Sequence, residues 1–192
     1  MGIDISESML NEAMEKAANE GVNIHFEQAD VRNFELNKQF ALIFFPFNSI
    51  CHLHDFDSIN ACFKNVKKHL KPGGRFIIEV FNPDFKLLLR DKSKLHAHSK
   101  YKNPYNNTDV VVKETNDYNS AEQINYIKKH FNIVGGKIEN DLNMRIYFPQ
   151  ELDNYLMFSG FEIEEKYGCF DKSSFTTKSA KQIIICKVNS AA

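Results

Sequence analysis

No apolar run in this sequence approaches the roughly 20 residues a helix needs to cross a bilayer. The opening Met-Gly-Ile-Asp has neither the basic start nor the apolar stretch of a secretory signal. A cytoplasmic protein without a membrane partner is therefore expected. Charge of one sign is also missing: 24 Lys and Arg stand against 25 Asp and Glu, a formal net charge of −1. That balance offers no field for nucleic acid or an anionic surface. The four cysteines, Cys51, Cys62, Cys169 and Cys186, form no C-x-x-C pair. They fit neither a disulfide framework nor a cysteine metal cluster, and read as free thiols in a reducing compartment. Tryptophan is absent, so seventeen Phe and seven Tyr carry the aromatic part of the core. No internal repeat or low-complexity tract is visible beyond a short tail.

What is present is enough for one folded domain over residues 1–192. Apolar residues make up 43% of the chain, which supports a buried core and argues against disorder. Ser6 is placed to cap a helix over 7–19, with Met9, Ala13, Met14 and Ala17 on one face and Gly21 beyond its end. Residues 23–28 alternate like a strand. Residues 39–45 form a continuous apolar run, which predicts a strand covered on both faces. An amphipathic helix over 58–70 follows, with Ile59, Phe63, Val66 and Leu70 inward, then the abrupt Lys71-Pro72-Gly73-Gly74 turn and a buried strand over 75–81. After Pro83 the chain is polar and turn-rich from 86 to 107, around a short helix over 85–90. Three β-like stretches, 110–118, 123–133 and 137–148, then read as an antiparallel meander. Pro149 opens a helix to Ser159, and strands are expected over 161–167 and 182–188.

Six segments arrive in one order: G-I-D-I-S-E-S-M-L, F-E-Q-A-D-V, F-A-L-I-F-F-P-F-N-S, L-K-P-G-G-R-F-I-I-E-V, F-P-Q-E-L-D-N-Y-L-M-F-S-G-F and Q-I-I-I-C-K-V. In that order the chain resembles class I, Rossmann-like, S-adenosylmethionine-dependent methyltransferases of the small-molecule type. The resemblance implies a three-layer α/β sandwich with a mostly parallel sheet, an antiparallel last strand and an antiparallel β lid over 86–148. The lid would be inserted between a cofactor-binding core over 1–85 and closing elements over 149–192.

The resemblance also implies site residues. Asp4, at a strand end, is the expected ligand of the cofactor's ribose hydroxyls, and Ile5 and Met9 flank the adenine. Its plain alternative is helix capping, and theirs is core packing. Asp30 is the expected partner of the adenine amino group, with Val31 beside it; a lone Asp there also suits a turn. Phe47, Asn48 and Ser49 follow the fourth strand of the resembled fold, where donor and acceptor meet, since open parallel sheets bind ligands beyond the carboxyl ends of their strands. His52 is a candidate general base. His52 and His54 make an H-x-H pair without a second ligand pair, so no metal is expected. On the lid, Tyr126, Arg145 and Tyr147 are candidate acceptor contacts, and Arg145 suits a carboxylate, although an ion pair on a strand face explains it as well. A small polar molecule is the expected acceptor, and a homodimer is compatible with the pattern. Nucleic acid is disfavoured, because F-P-F-N-S departs from the Asn/Asp-Pro-Pro-aromatic signature of base and glutamine methyltransferases.

Two departures stand out. Ala41 occupies the place where the resembled pattern begins its strand with Asp. The family's Gly-rich loop and first strand also have no counterpart, so the chain reads as beginning one strand and one helix late. A reading frame started late, a shortened form completed by a partner copy or rearranged strands, and a non-catalytic remnant are the three explanations. Rival functions are a cofactor-binding or assembly module and, from another class, a nicotinamide-dependent oxidoreductase using a similar Asp.

Overall fold

The computed structural model describes residues 1–189. In chain order the elements are β1 (Gly2–Asp4), α1 (Glu7–Asn19), β2 (Phe26–Gln28), β3 (Phe40–Phe45), a 3-10 turn (Ser49–His52), α2 (Phe56–His69), β4 (Leu70–Phe81) and α3 (Phe85–Leu88). They continue with β5 (His96–Lys102), β6 (Asp109–Asn119), β7 (Ile124–Ile133), β8 (Gly136–Arg145), α4 (Pro149–Phe158), β9 (Phe161–Tyr167) and β10 (Lys181–Val188). Local chemistry sets several of these limits. The Ser6 hydroxyl accepts from Met9 N at 3.4 Å, and the Asp55 carboxylate accepts from Ser58 N at 2.7 Å, satisfying amides that have no partner inside their helices. Gly21 leaves α1 with φ +64°, a conformation that costs a residue without a side chain little.

The main sheet has the order β3-β4-β10-β9. β3 and β4 are parallel, and β10 is antiparallel to both β4 and β9, so β10 alone runs against the other three strands. This is the expected Rossmann-like sheet with a reversed last strand. α2 and α4 supply its core. Phe63 stands edge-on to Phe76 at 6.0 Å and to Phe161 at 5.9 Å, and Ile59, Ile78, Leu152, Leu156 and Ile184 are fully enclosed around them. Each such side chain contributes about 1.5–3 kcal/mol by leaving water.

The Lys71–Gly74 turn is taken into β4 as an irregularity, with the ladder shifting between Phe40↔Leu70 and Leu42↔Arg75. A side chain on Gly74 would meet three carbonyl oxygens of Lys71, Phe40 and Ala41 at 2.9–3.2 Å, so only glycine fits this approach.

β1 and β2 form a separate parallel pair, from Gly2↔Phe26 to Asp4↔Gln28, with no ladder to the main sheet. This changes the environment of β3. Its expected burial on both faces is not observed: Leu42 is 54% and Phe44 48% exposed, because that side opens onto a cleft instead of a neighbouring element. The segment after β2 is nonetheless well anchored. Leu36 N donates to His69 Nε2 at 3.1 Å, His69 Nδ1 donates to Asn65 O at 2.8 Å, and the ring lies 4.4 Å from that of Phe34.

The meander is a four-stranded antiparallel sheet in the order β5-β6-β7-β8. Its first strand lies within the stretch expected to be an irregular excursion. His96–Lys102 is polar and mostly exposed, so its own composition carries no strand signal, and pairing with β6 makes it one.

Candidate active site

β1 and β2 end at the same level, so the backbone carries Asp4 and Asp30 to one edge; Ala29 N donates to Asp4 O at 3.0 Å just beyond the ladder. Across from them, β3 ends at Pro46 and turns into the 3-10 helix. Between the two lies a cleft of about 920 Å³. Its walls include Asp4, Ile5, Met9, Asp30, Val31, Ser49 and His52, with Leu42, Phe44 and Phe34 among the apolar residues. The structure thus gathers seven of the predicted site residues into one cavity, of a size typical for small-molecule sites.

The two carboxylates differ in how they are held. Asp4 Oδ1 accepts from Ser6 N at 2.8 Å, which orients the side chain at the start of α1. Asp30 is clasped by Arg32: Nε donates to Oδ1 at 2.9 Å and Nη2 to Oδ2 at 2.5 Å. Those bonds outweigh partial burial and hold its pKa below the usual carboxylate value. Arg32 N also donates to Oδ1 at 2.9 Å and Nε reaches Oδ2 at 3.0 Å, so Arg32 takes up most of the carboxylate's about four acceptor directions and a ligand N–H would share an oxygen with it.

Ser49 sits behind a strained turn. Phe47 and Asn48 both have left-handed backbones, φ +54° and +58°, which side chains other than glycine rarely adopt. Three hydrogen bonds hold them to β4: Phe47 N donates to Glu79 Oε2 at 2.6 Å, Asn48 N to Glu79 O at 3.2 Å, and Phe81 N to Asn48 Oδ1 at 2.7 Å. Glu79 is only 2% exposed and also pairs with Lys181. Asn48 therefore serves the turn, while the Phe47 ring projects outward, 86% exposed; neither lines the cleft. His52 reaches the surface, yet partial desolvation of its ring and the neighbouring His54 lower its pKa, with Asp4 opposing them. Among the described residues, no three His, Cys, Asp or Glu side chains are grouped so as to hold a metal ion.

The three predicted lid residues lie outside the cleft. Tyr126 is on the lid face opposite Asn125, with its hydroxyl donating to Glu122 Oε2 at 2.7 Å. The Arg145 guanidinium donates to Glu151 Oε1 at 2.7 Å, Gln123 Oε1 at 3.0 Å and His54 O at 2.9 Å. Tyr147 is buried and its hydroxyl donates to Leu53 O. The other lid face carries a buried polar relay that sequence reasoning missed. Asn125 Nδ2 donates to Asn116 Oδ1 at 3.1 Å, Asn116 Nδ2 to Glu114 Oε1 at 3.3 Å, and Glu114 meets Arg90 at 3.4 Å and His98 at 3.0 Å. The signal was the period of two: Val110, Val112, Glu114 and Asn116 share one strand face, so two buried valines mark their polar successors as inward.

Comparison with known proteins bears on the same residues. A family model described as a methyltransferase domain matches residues 1–147. The dTDP-3-amino-3,4,6-trideoxy-alpha-D-glucopyranose N,N-dimethyltransferase of Streptomyces venezuelae is 30% identical over 78 residues, 41% of this chain and 31% of that protein. The chain thus matches under a third of the length of its curated relatives. Among solved structures, the CcbJ methyltransferase from Streptomyces caelestis superposes with TM-score 0.81 at 21% identity, over 98% of this chain and 74% of that one. An S-adenosylmethionine-dependent methyltransferase from Clostridium acetobutylicum gives 0.80 at 22%, over 97% and 74%. These structures share the fold, and the match over 1–147 places the chain in a family: it belongs to the methyltransferase-domain family.

Proposed function

We propose that the protein transfers a methyl group from S-adenosylmethionine to an amine or hydroxyl of a small polar molecule. The observation that carries this reading is the single cleft holding Asp4, Asp30, Ser49 and His52 together. Its residues fit the cofactor: two carboxylates stand at one rim to accept from ribose hydroxyls and an adenine amino group, and Ile5, Met9 and Val31 are apolar neighbours for the purine. When bound, the cofactor supplies an already activated sulfonium methyl group.

What remains for the chain is alignment, exclusion of water and proton handling. Asp4 and Asp30 fix the adenosine end. His52, with its pKa below the ordinary imidazole value, is neutral at pH 7 and takes the proton that the acceptor must lose. Ser49, whose hydroxyl donates to Pro46 O at 2.6 Å, offers lone pairs to an acceptor group. Of these two acceptor groups the amine is favoured, in keeping with the amino-sugar named for the Streptomyces venezuelae relative. The near-balanced charge, 24 Lys and Arg against 25 Asp and Glu, favours a small molecule over nucleic acid as acceptor; among the described residues no helix is long and apolar enough to cross a bilayer. The buried thiols Cys51, Cys62 and Cys186, the latter two pushed up to about 12 by desolvation, suit the reducing cytoplasm.

Calorimetric titration with S-adenosylhomocysteine tests this reading, with a Kd on the order of micromolar expected. A folded protein that shows no binding heat overturns it. Binding without methyl transfer to any of a panel of amino sugars would instead support a non-catalytic cofactor-binding module.

A further inference from the structure

The lid grips the segment that carries His52. Three hydrogen bonds run between the end of β8 and residues 53–54: Arg145 Nη1 to His54 O at 2.9 Å, His54 Nε2 to Asn143 O at 3.1 Å, and Tyr147 Oη to Leu53 O. The partners are about ninety residues apart in the chain. The Arg145 guanidinium lies 5.3 Å over the Tyr147 ring and pairs with Glu151 at the start of α4, so the end of β8, the His52 segment and α4 meet on one side chain. His52 is the residue immediately before this latch and the last predicted site residue of the cleft wall. At the far end of the lid, Tyr105 in the β5–β6 connection bonds Glu12 of α1, the helix that follows Asp4. The lid therefore touches both walls of the cleft, firmly at the His52 wall and by one exposed contact at the Asp4 wall.

We propose that Arg145, with Tyr147 and His54, is a positioning latch that sets His52 in the cleft and ties its placement to the lid, rather than an arm that binds substrate. The guanidinium suits this work because its donors diverge in a fixed plane and reach three acceptors at once, which a lysine ammonium on a flexible stem does not reproduce. All three acceptors belong to the protein. Arg145 Nε is buried without a partner, but a substrate carboxylate gripping the fork at two points would also need Nη1 or Nη2, which are bonded to His54 O, Gln123 and Glu151. As catalysis falls steeply when a reacting group shifts by about 1 Å, loosening the latch lowers turnover without touching the adenosine end of the site.

This inference rests on the proposed methyltransferase reading, and the test separates the two. Arg145→Lys keeps the charge and removes the planar fork. Expected are an unchanged Kd for S-adenosylhomocysteine, a displaced His52 ring resonance in histidine-labelled NMR spectra with the remote His25 resonance unmoved, and a kcat about 10- to 100-fold lower with a dTDP-amino-sugar probe while KM changes less. Tyr147→Phe and His54→Leu each delete one latch bond at similar size. They are expected to move the same resonance and decide the matter if Arg145→Lys does not fold. Folded variants in which the His52 resonance keeps its wild-type position overturn the latch, whatever the probe does. Loss of S-adenosylhomocysteine binding by the wild-type protein overturns the methyltransferase reading and leaves the NMR result standing by itself. A selective rise in KM for carboxylate-bearing acceptors would assign Arg145 to substrate after all.

Discussion

The main sheet and the β1–α1–β2 unit are built on opposite principles. In the main sheet β4 and β10 bury Phe76, Ile78, Val80, Ile184 and Cys186 at essentially zero exposure, covered by α2 and α4. In the N-terminal unit α1 buries only Leu10 and Ala17, and leaves Met9 59% and Met14 47% exposed. The sheet holds the fold, and the unit holds two of the carboxylates on which ligand binding is proposed to depend. Elements that bind ligands are drawn from the less stable end of a structure, because binding must do part of the ordering. The difference therefore teaches that stability and ligand affinity should respond to different residues here.

Four substitutions would break or sharpen that contrast. Phe76→Ala empties the point where three aromatic rings meet, and should cost about 3–5 kcal/mol in chemical denaturation. A cost near zero would mean that the sheet is not the stabilising half. His52→Gln should lower kcat by about 100-fold or more and leave the denaturation midpoint almost unchanged. In the wild type, the acid limb of the pH–rate profile should fall below the ordinary imidazole value of about 6.5, because His52 must be neutral to accept a proton and its folded pKa is depressed. Rate then rises as pH climbs through that lowered pKa and is flat above it. A limb that survives in His52→Gln assigns the proton step to another group. Asp4→Asn should weaken S-adenosylhomocysteine binding by roughly 1.5–3 kcal/mol in calorimetry, the range for hydrogen bonds to a charged group, with little change in stability. Met14→Ala, on the exposed part of α1, should change stability by no more than about 0.5 kcal/mol. A large loss there would show that the N-terminal unit is packed far more tightly than its exposure implies.

Much of this architecture is legible residue by residue. α1 covers the predicted 7–19, and α2 starts two residues before the predicted Ser58 because Asp55 rather than Asp57 makes the cap. The lid strands β6, β7 and β8 follow their turn signals to within a residue or two at most ends, although β8 stops at Arg145 rather than 148. The failures share a cause. Continuous apolar character in β3 predicted burial, but a strand's own residues cannot say whether a neighbour covers them, and here a cleft does. β5 is polar, and only the edge of β6 makes it a strand. For the site, Asp4 and Asp30 were each visible as a carboxylate at a strand end, while nothing local says that they share a cavity.

Periodicity, caps and turn residues act over a few positions, so the sequence by itself determined most of the helices and strands, with β5 the exception, their order, and the residue types available at each strand end. The tertiary structure decided how distant segments meet. The parallel register of β1 and β2 brought Asp4 beside Asp30, the strained Phe47–Asn48 turn was closed by Glu79 thirty-two positions away, and Arg145 was turned from an open cation into a latch by His54, Gln123 and Glu151. Such pairings exist only after the chain has closed long loops, and no local propensity records them.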